Sequence, residues 1–187
     1  DETSVPKYVA ADLLSQAEHG IDSQVILLTT NEQTLNETIT EINTQLEVLP
    51  RKELASKALE NSRGIVLNSI EECVAFSNIY APEHLIFACE TAEDYISKII
   101  NAGSVFLGNY SCESAGDYAS GTNHTLPTNG YAKNYSGVSL DSFIKKITFQ
   151  KLSSEGIQNI GPAIELMAEA EELFAHKNAV TLRLQDL

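Results

Sequence analysis

Imidazoles are few in this sequence, and each of the four stands beside other polar groups that could share its work: Gln16-Ala17-Glu18-His19-Gly20, Pro82-Glu83-His84, Asn123-His124 and Ala175-His176-Lys177-Asn178. Imidazole titrates near neutral pH and is the commonest metal ligand among side chains, so each histidine is a candidate for metal binding or proton transfer. Gln16 and His19 are three residues apart, a spacing that puts both on one face of a helix, as two ligands of one metal would need. A solvated helix face would show the same pair. Glu83 and His84 form a carboxylate–imidazole pair suited to acid/base work, at a point where a helix gives way to a strand. Neighbours in an extended strand point to opposite faces, so both reach one cavity only if the backbone turns there.

Glu113, Asp117 and His124 lie in a polar stretch, with Gly116 and Gly121 permitting close backbone approach to a ligand. Glu165, Glu169 and Glu172 follow helical spacing and read as a solvated face, with Glu171 off that stripe. His176 stands near the end of a long helical pattern, where it could act as a cap. Cys112 has no histidine neighbour in sequence and gives no support to a thiol nucleophile. Neither GxGxxG nor GxxxxGK[ST] occurs, so no phosphate-cradling glycine loop is on view.

The elements that must position these groups alternate. Helices are expected over Val5 to His19, Glu32 to Leu49, Lys52 to Glu60, Ile70 to Ile79 and Ala92 to Asn101, with Ser69 capping the fourth and Gly20 and Pro50 as stops. Short apolar runs at Gln24 to Thr29, Gly64 to Leu67, His84 to Ala88 and Ser104 to Leu107 read as strands. This alternation predicts an α/β fold with a mainly parallel, Rossmann-like sheet and flanking helices, sites gathering beyond the carboxyl ends of the strands. Periodicity is absent from Gly108 to Gly137, a length of loop that points to function or disorder. Ile144 to Leu152 reads as a further strand, and Ser153 opens a helix that runs to about His176. The expected division is an α/β body over 1–137 and, over 138–187, a strand with a C-terminal helical tail.

The 187 residues carry 26 acidic and 12 basic side chains, a net charge of −14. That balance argues against nucleic acid, which demands clustered Lys and Arg, and leans toward cationic substrates. Three cysteines without a CxxC pair suit a reducing, cytoplasmic setting rather than a disulfide framework or a zinc knuckle. No apolar run approaches the roughly 18 residues needed to span a bilayer. No signal peptide opens the chain, and helical pattern begins almost at once after Asp1-Glu2-Thr3, as though the chain starts partway through a fold.

Four stretches carry a resemblance: LSQAEHGIDSQVILLT (Leu14 to Thr29), APEHLI (Ala81 to Ile86), AGSVFLGNYSCESAGDYASGTNHTLPTNG (Ala102 to Gly130) and AHKNAVTLRL (Ala175 to Leu184). In order and in detail they resemble the C-terminal part of the histidinol dehydrogenase family. The resemblance implies oxidation of L-histidinol to L-histidine, through the aldehyde, with two NAD and one zinc per site. It makes Gln16, His19, Asp117 and His176 the zinc ligands and Glu83 and His84 the acid/base pair. Glu113, His124 and Glu171 then join them in lining the substrate pocket. It further implies intertwined homodimers whose tails reach the partner's site, so that His176 and Glu171 serve another subunit. The chain resembles less than half of a family member; the remainder would complete the domain and supply most NAD contacts, leaving the isolated 187 residues inactive. Two rival readings use the same residues: a zinc hydrolase with Glu83 as general base for a metal-bound water, and a non-catalytic metal-binding dimerisation module.

Overall fold

A computed structural model describes all 187 residues, which form two compact units, Asp1–Phe143 and Ile144–Leu187. In the first unit, helix α1 (Pro6–Ala17) opens with a proline at its first position, where the missing N–H costs nothing. Ala10, Leu14 and Ala17, at i, i+4 and i+7, form its buried stripe. Leu14 and Ala17 pack with Ala55 and Ala58 of helix α3 (Lys52–Glu60) and with Ile42 and Leu46 of helix α2 (Glu32–Leu46). Alanines fully out of water at Ala10, Ala17, Ala55 and Ala58 let these helices approach closely. The Asn31 side chain caps α2 by accepting from the backbone N–H groups of Gln33 and Thr34. Strand β1 (Ile26–Thr29) pairs in parallel with β2 (Arg63–Val66).

Helix α4 (Ile70–Tyr80) is capped by Ser69, as its sequence predicts, and carries Glu71 and Glu72 in the first turn. It ends at Ala81 in the left-handed conformation, φ 57°, a position uncommon for a residue with a side chain. Pro82 and Glu83 then lead into strand β3 (His84–Phe87), which pairs in parallel with β4 (Ser104–Leu107). Beyond β4, Gly108 turns the chain with φ 82°, and the short helix α5 (Glu113–Tyr118) follows.

Several expected features differ. The strands form two separate two-stranded parallel sheets instead of one, because no hydrogen bonding joins the pairs. Residues Ala92–Lys98 form a 3-10 helix, and the aperiodic stretch after Gly108 contains α5 and a 3-10 turn at Tyr131–Lys133. Ile144 to Leu152 forms no strand and is exposed throughout; Phe149 is 92% exposed, and a strand without a pairing edge has nothing to bond.

In the second unit the single expected helix is two. Helix α6 (Ser154–Ala170) ends where Glu172 takes φ 58° and the Leu173 N–H returns to the Ala168 carbonyl. Helix α7 (Phe174–Gln185) then runs back along α6. Glu165 and Glu169, read as a solvated face, are partners of α7: Thr181 bonds to Glu165, and Lys177 Nζ lies 2.7 Å from Glu169. No helix is long and apolar enough to cross a membrane.

Gly103 governs how β4 seats against the segment before β3. Its N–H donates to the Pro82 carbonyl at 2.9 Å, and an added Cβ would lie 2.5 Å from the Glu83 carbonyl oxygen. Backbone cannot move aside as a side chain would. Gly103→Ala should therefore lower stability by about 1–3 kcal/mol, the usual cost of overpacking. Chemical denaturation checks this; an unchanged midpoint would show that the strand pair yields.

Candidate active site

Helix α1 has two working faces. With Ala10, Leu14 and Ala17 committed to the core, Asp12 and Gln16 are left half-buried on another face. The helix stops at Ala17, two residues earlier than its pattern predicts. His19 therefore sits in the closing turn, exposed, its N–H donating to the Gln16 carbonyl at 3.3 Å.

Glu83 and His84 do reach one site. The left-handed turn at Ala81 and the proline after it keep Glu83 out of the strand, so the alternation that would separate the two side chains does not apply. His19 and Asp117 act electrostatically on both. The site stands at the amino end of β3, not beyond the carboxyl ends of the strands. The chain leaves β4 at its carboxyl end as expected, but α5 then returns to His84. Gly116 makes that return close: a Cβ there would fall 2.5 Å from the Phe106 ring, which is tilted against His84 with centroids 6.0 Å apart.

Glu113, only 4% exposed, is where the elements meet. Ser15 Oγ lies 3.4 Å from its Oε2, and His84 Nδ1 lies 3.9 Å from its Oε1. With the Gln16 amide oriented nitrogen-inward, that nitrogen donates to both oxygens, at 3.1 and 3.2 Å. One ligand atom from each of His84, Glu113 and Asp117 lies within 4.8 Å of the others.

Burial dominates the electrostatics. Desolvation, with the nearby Asp117, Glu83 and Asp12 charges adding to it, pushes the Glu113 carboxyl up to about 7. Burial raises Glu83 as well, against the pull of His19, and lifts Asp12 to about 6. His84 is held below its ordinary value, first by desolvation and also by His19, with Asp117 opposing. At neutral pH the His84–Glu113 contact therefore joins a largely neutral imidazole to a carboxyl group near half-protonation, not two full charges. The carboxyl beside Nδ1 favours the proton on that nitrogen. Nε2, buried and without a protein partner, is left as the free base.

The groups can be tested against a metal. Amide oxygen, imidazole and carboxylate are donors that zinc accepts, and a buried imidazole nitrogen without a partner sits among carboxylates. The residues fit a divalent cation. Of the sequence candidates, the structure associates Gln16, His19, Glu83, His84, Glu113 and Asp117. His124 is exposed and makes no hydrogen bond to them. Glu171 and His176 are exposed in the second unit, and His176 stands in the first turn of α7 rather than capping a helix end. Asp12 and Ser15, not among the sequence candidates, join the site from α1. The signal was available, since Asp12, Gln16 and His19 follow i, i+4, i+7 spacing on the face opposite the apolar stripe.

Asp12 gives a test of this dry environment. A carboxyl group raised on folding costs no stability below its unfolded value near 3.8; the cost grows to about pH 6 and is complete above it. Asp12→Asn should therefore raise the unfolding temperature at pH 8 and leave it unchanged near pH 3.5. An equal effect at both pH values would contradict the burial argument.

The sequence model of the family described as histidinol dehydrogenase matches residues 1–184. The chain is 60% identical to the histidinol dehydrogenase of Bacteroides thetaiotaomicron, over all of this chain and 44% of that protein. It is 56% identical to the chloroplastic histidinol dehydrogenase of Arabidopsis thaliana, over all of this chain and 40% of that one. The crystal structure of histidinol dehydrogenase from Elizabethkingia anophelis superposes with a TM-score of 0.94 at 73% identity, over 98% of this chain and 42% of that one. The chain thus spans less than half the length of these relatives. With a family match along almost its whole length and a shared fold, it belongs to the histidinol dehydrogenase family.

Proposed function

We propose that this chain carries the zinc-binding, substrate-binding and proton-transferring residues of a histidinol dehydrogenase, which oxidises L-histidinol to L-histidine in histidine biosynthesis. The observation that carries the reading is the meeting of α1, the start of β3 and α5 around Glu113, joining residues about 100 positions apart in sequence. Gln16, His19 and Asp117 would hold the zinc, with a His176 from an exchanged tail as the fourth ligand. When bound, zinc would fix the substrate through its nitrogen atoms, and NAD would supply the hydride acceptor.

The chain's own groups handle the protons. His84, neutral and with Nε2 free, takes the hydroxyl proton as hydride leaves; Glu83 draws a proton from the water that hydrates the aldehyde. Burial raises the Glu83 carboxyl, which makes it a better proton acceptor, and favours the neutral form of His84. Glu113, His124 and Glu171 line the substrate pocket. The carboxylates around it suit the positive charge that zinc would bring to the pocket.

The remaining assignments belong to the same reading. The two strand pairs are parts of a Rossmann-like sheet that further chain completes, with most NAD contacts supplied from there. The body over 1–137 and the tail over 138–187 belong to a cytoplasmic homodimer with exchanged tails, in which His176 and Glu171 serve the partner's site. Ile147, Phe149 and Leu152 on the exposed segment before α6 support a partner surface, because apolar side chains so exposed call for cover.

Two outcomes are expected. At full natural length, Glu83→Gln should lower histidinol turnover roughly 100- to 10,000-fold, the range of a lost general base, while zinc content stays that of the parent. Turnover within a few-fold of the parent would remove Glu83 from the mechanism. The 187 residues alone should yield no NADH from histidinol and NAD, and measurable NADH would contradict the incomplete cofactor site.

A further inference from the structure

Glu113 is the most buried residue of the cluster, and its contacts go beyond lining the substrate pocket. We infer that Glu113 is a positioning residue: its carboxylate captures the amide nitrogen of Gln16 and thereby turns the Gln16 oxygen toward the metal. The inference rests on the zinc-site reading above.

An amide side chain presents oxygen at one end and NH2 at the other, in nearly the same shape. Only the oxygen can ligate a cation, so a glutamine serves a metal only if something holds its nitrogen elsewhere. Glu113 has the required geometry. Both its oxygens lie within 3.2 Å of the inward end of the Gln16 amide. An acceptor pair at that end selects nitrogen there and leaves the oxygen at the other. At 4% exposure, water has little access to compete for those oxygens.

The supporting contacts restrict both partners. Ser15, next to Gln16 on α1, approaches the same carboxylate at 3.4 Å. On the other side α1 is fixed by Leu14 and Ala17 in the core, so the helix cannot roll away from Glu113. Glu113 and Asp117 are four residues apart on α5 and share a face of it. One short helix thus supplies a ligand directly through Asp117 and sets the orientation of another, on α1, through Glu113. In this role Glu113 acts on the zinc only through Gln16.

The test is a double-mutant cycle on zinc affinity, measured by competition with a chelating indicator on the protein at its full natural length. Gln16→Ala and Glu113→Met should each weaken zinc binding roughly 10- to 100-fold, the usual effect of losing a ligand's supporting partner. The double variant should bind about as Gln16→Ala does, since Glu113 acts through Gln16. Glu113→Gln, whose amide oxygen still accepts, should recover most of the affinity. A Glu113→Met protein that binds zinc like the parent, or losses that add in full in the double variant, would overturn the inference while leaving the zinc site standing. Parent-like binding by Gln16→Ala would instead remove Gln16 from the zinc site, and the inference with it. Should Glu113→Met fail to fold, Glu113→Ala is read in the same way.

Discussion

Four carboxyl groups, Asp12, Glu83, Glu113 and Asp117, lie close enough to act on one another, with the His84 imidazole beside Glu113 and Asp117, and the rest of the fold is arranged to hold them there. Like charges repel, and water, which would screen them, has been largely removed from Glu113. The protein meets this in part by leaving Glu113, raised to about 7, partly protonated at neutral pH. The Gln16 and Ser15 donors offset more of it. A site so loaded with acceptors has an obvious complement in a cation, and a zinc ion would supply one.

Holding such a cluster calls for rigid mounts, and each is built by a different local device. Helix α1 is anchored by small apolar residues on one stripe, which fixes where its polar face points. The entry to β3 is set by a left-handed alanine followed by proline, which places Glu83 before the strand and His84 at its first position. Helix α5 is drawn in by Gly116 against Phe106, where a methyl group has no room. None of these devices is chemical in itself. Their joint effect is that residues from three separate segments share one small volume.

Local pattern made most of the elements legible. Pro6, Asn31 and Ser69 mark helix starts, and the four apolar runs are strands within a residue or two of their expected ends. What local pattern could not supply was pairing, since nothing in GIVL or HLIFA says which strand neighbours which, and the one expected sheet is two pairs. The run at 144–152 has the composition of a strand and lacks a partner edge. The break at Glu172 was hidden because its helical periodicity continues on both sides. At the site, residue type and spacing picked out Gln16, His19, Glu83, His84 and Asp117. The importance of Asp12 and Ser15 appears only once Glu113 is seen to lie beside α1.

The geometry leaves two triads around Asp117: Gln16 and His19 with it, or His84 and Glu113 with it. Anomalous diffraction at the zinc edge, from crystals of the full-length protein grown with zinc and L-histidinol, separates them directly. A single zinc is expected within about 2.0–2.2 Å of Gln16 Oε1, His19 and Asp117, with the Gln16 nitrogen still on Glu113 and His84 free of the metal. A zinc ion bound by His84, Glu113 and Asp117, with Gln16 turned away, would contradict it.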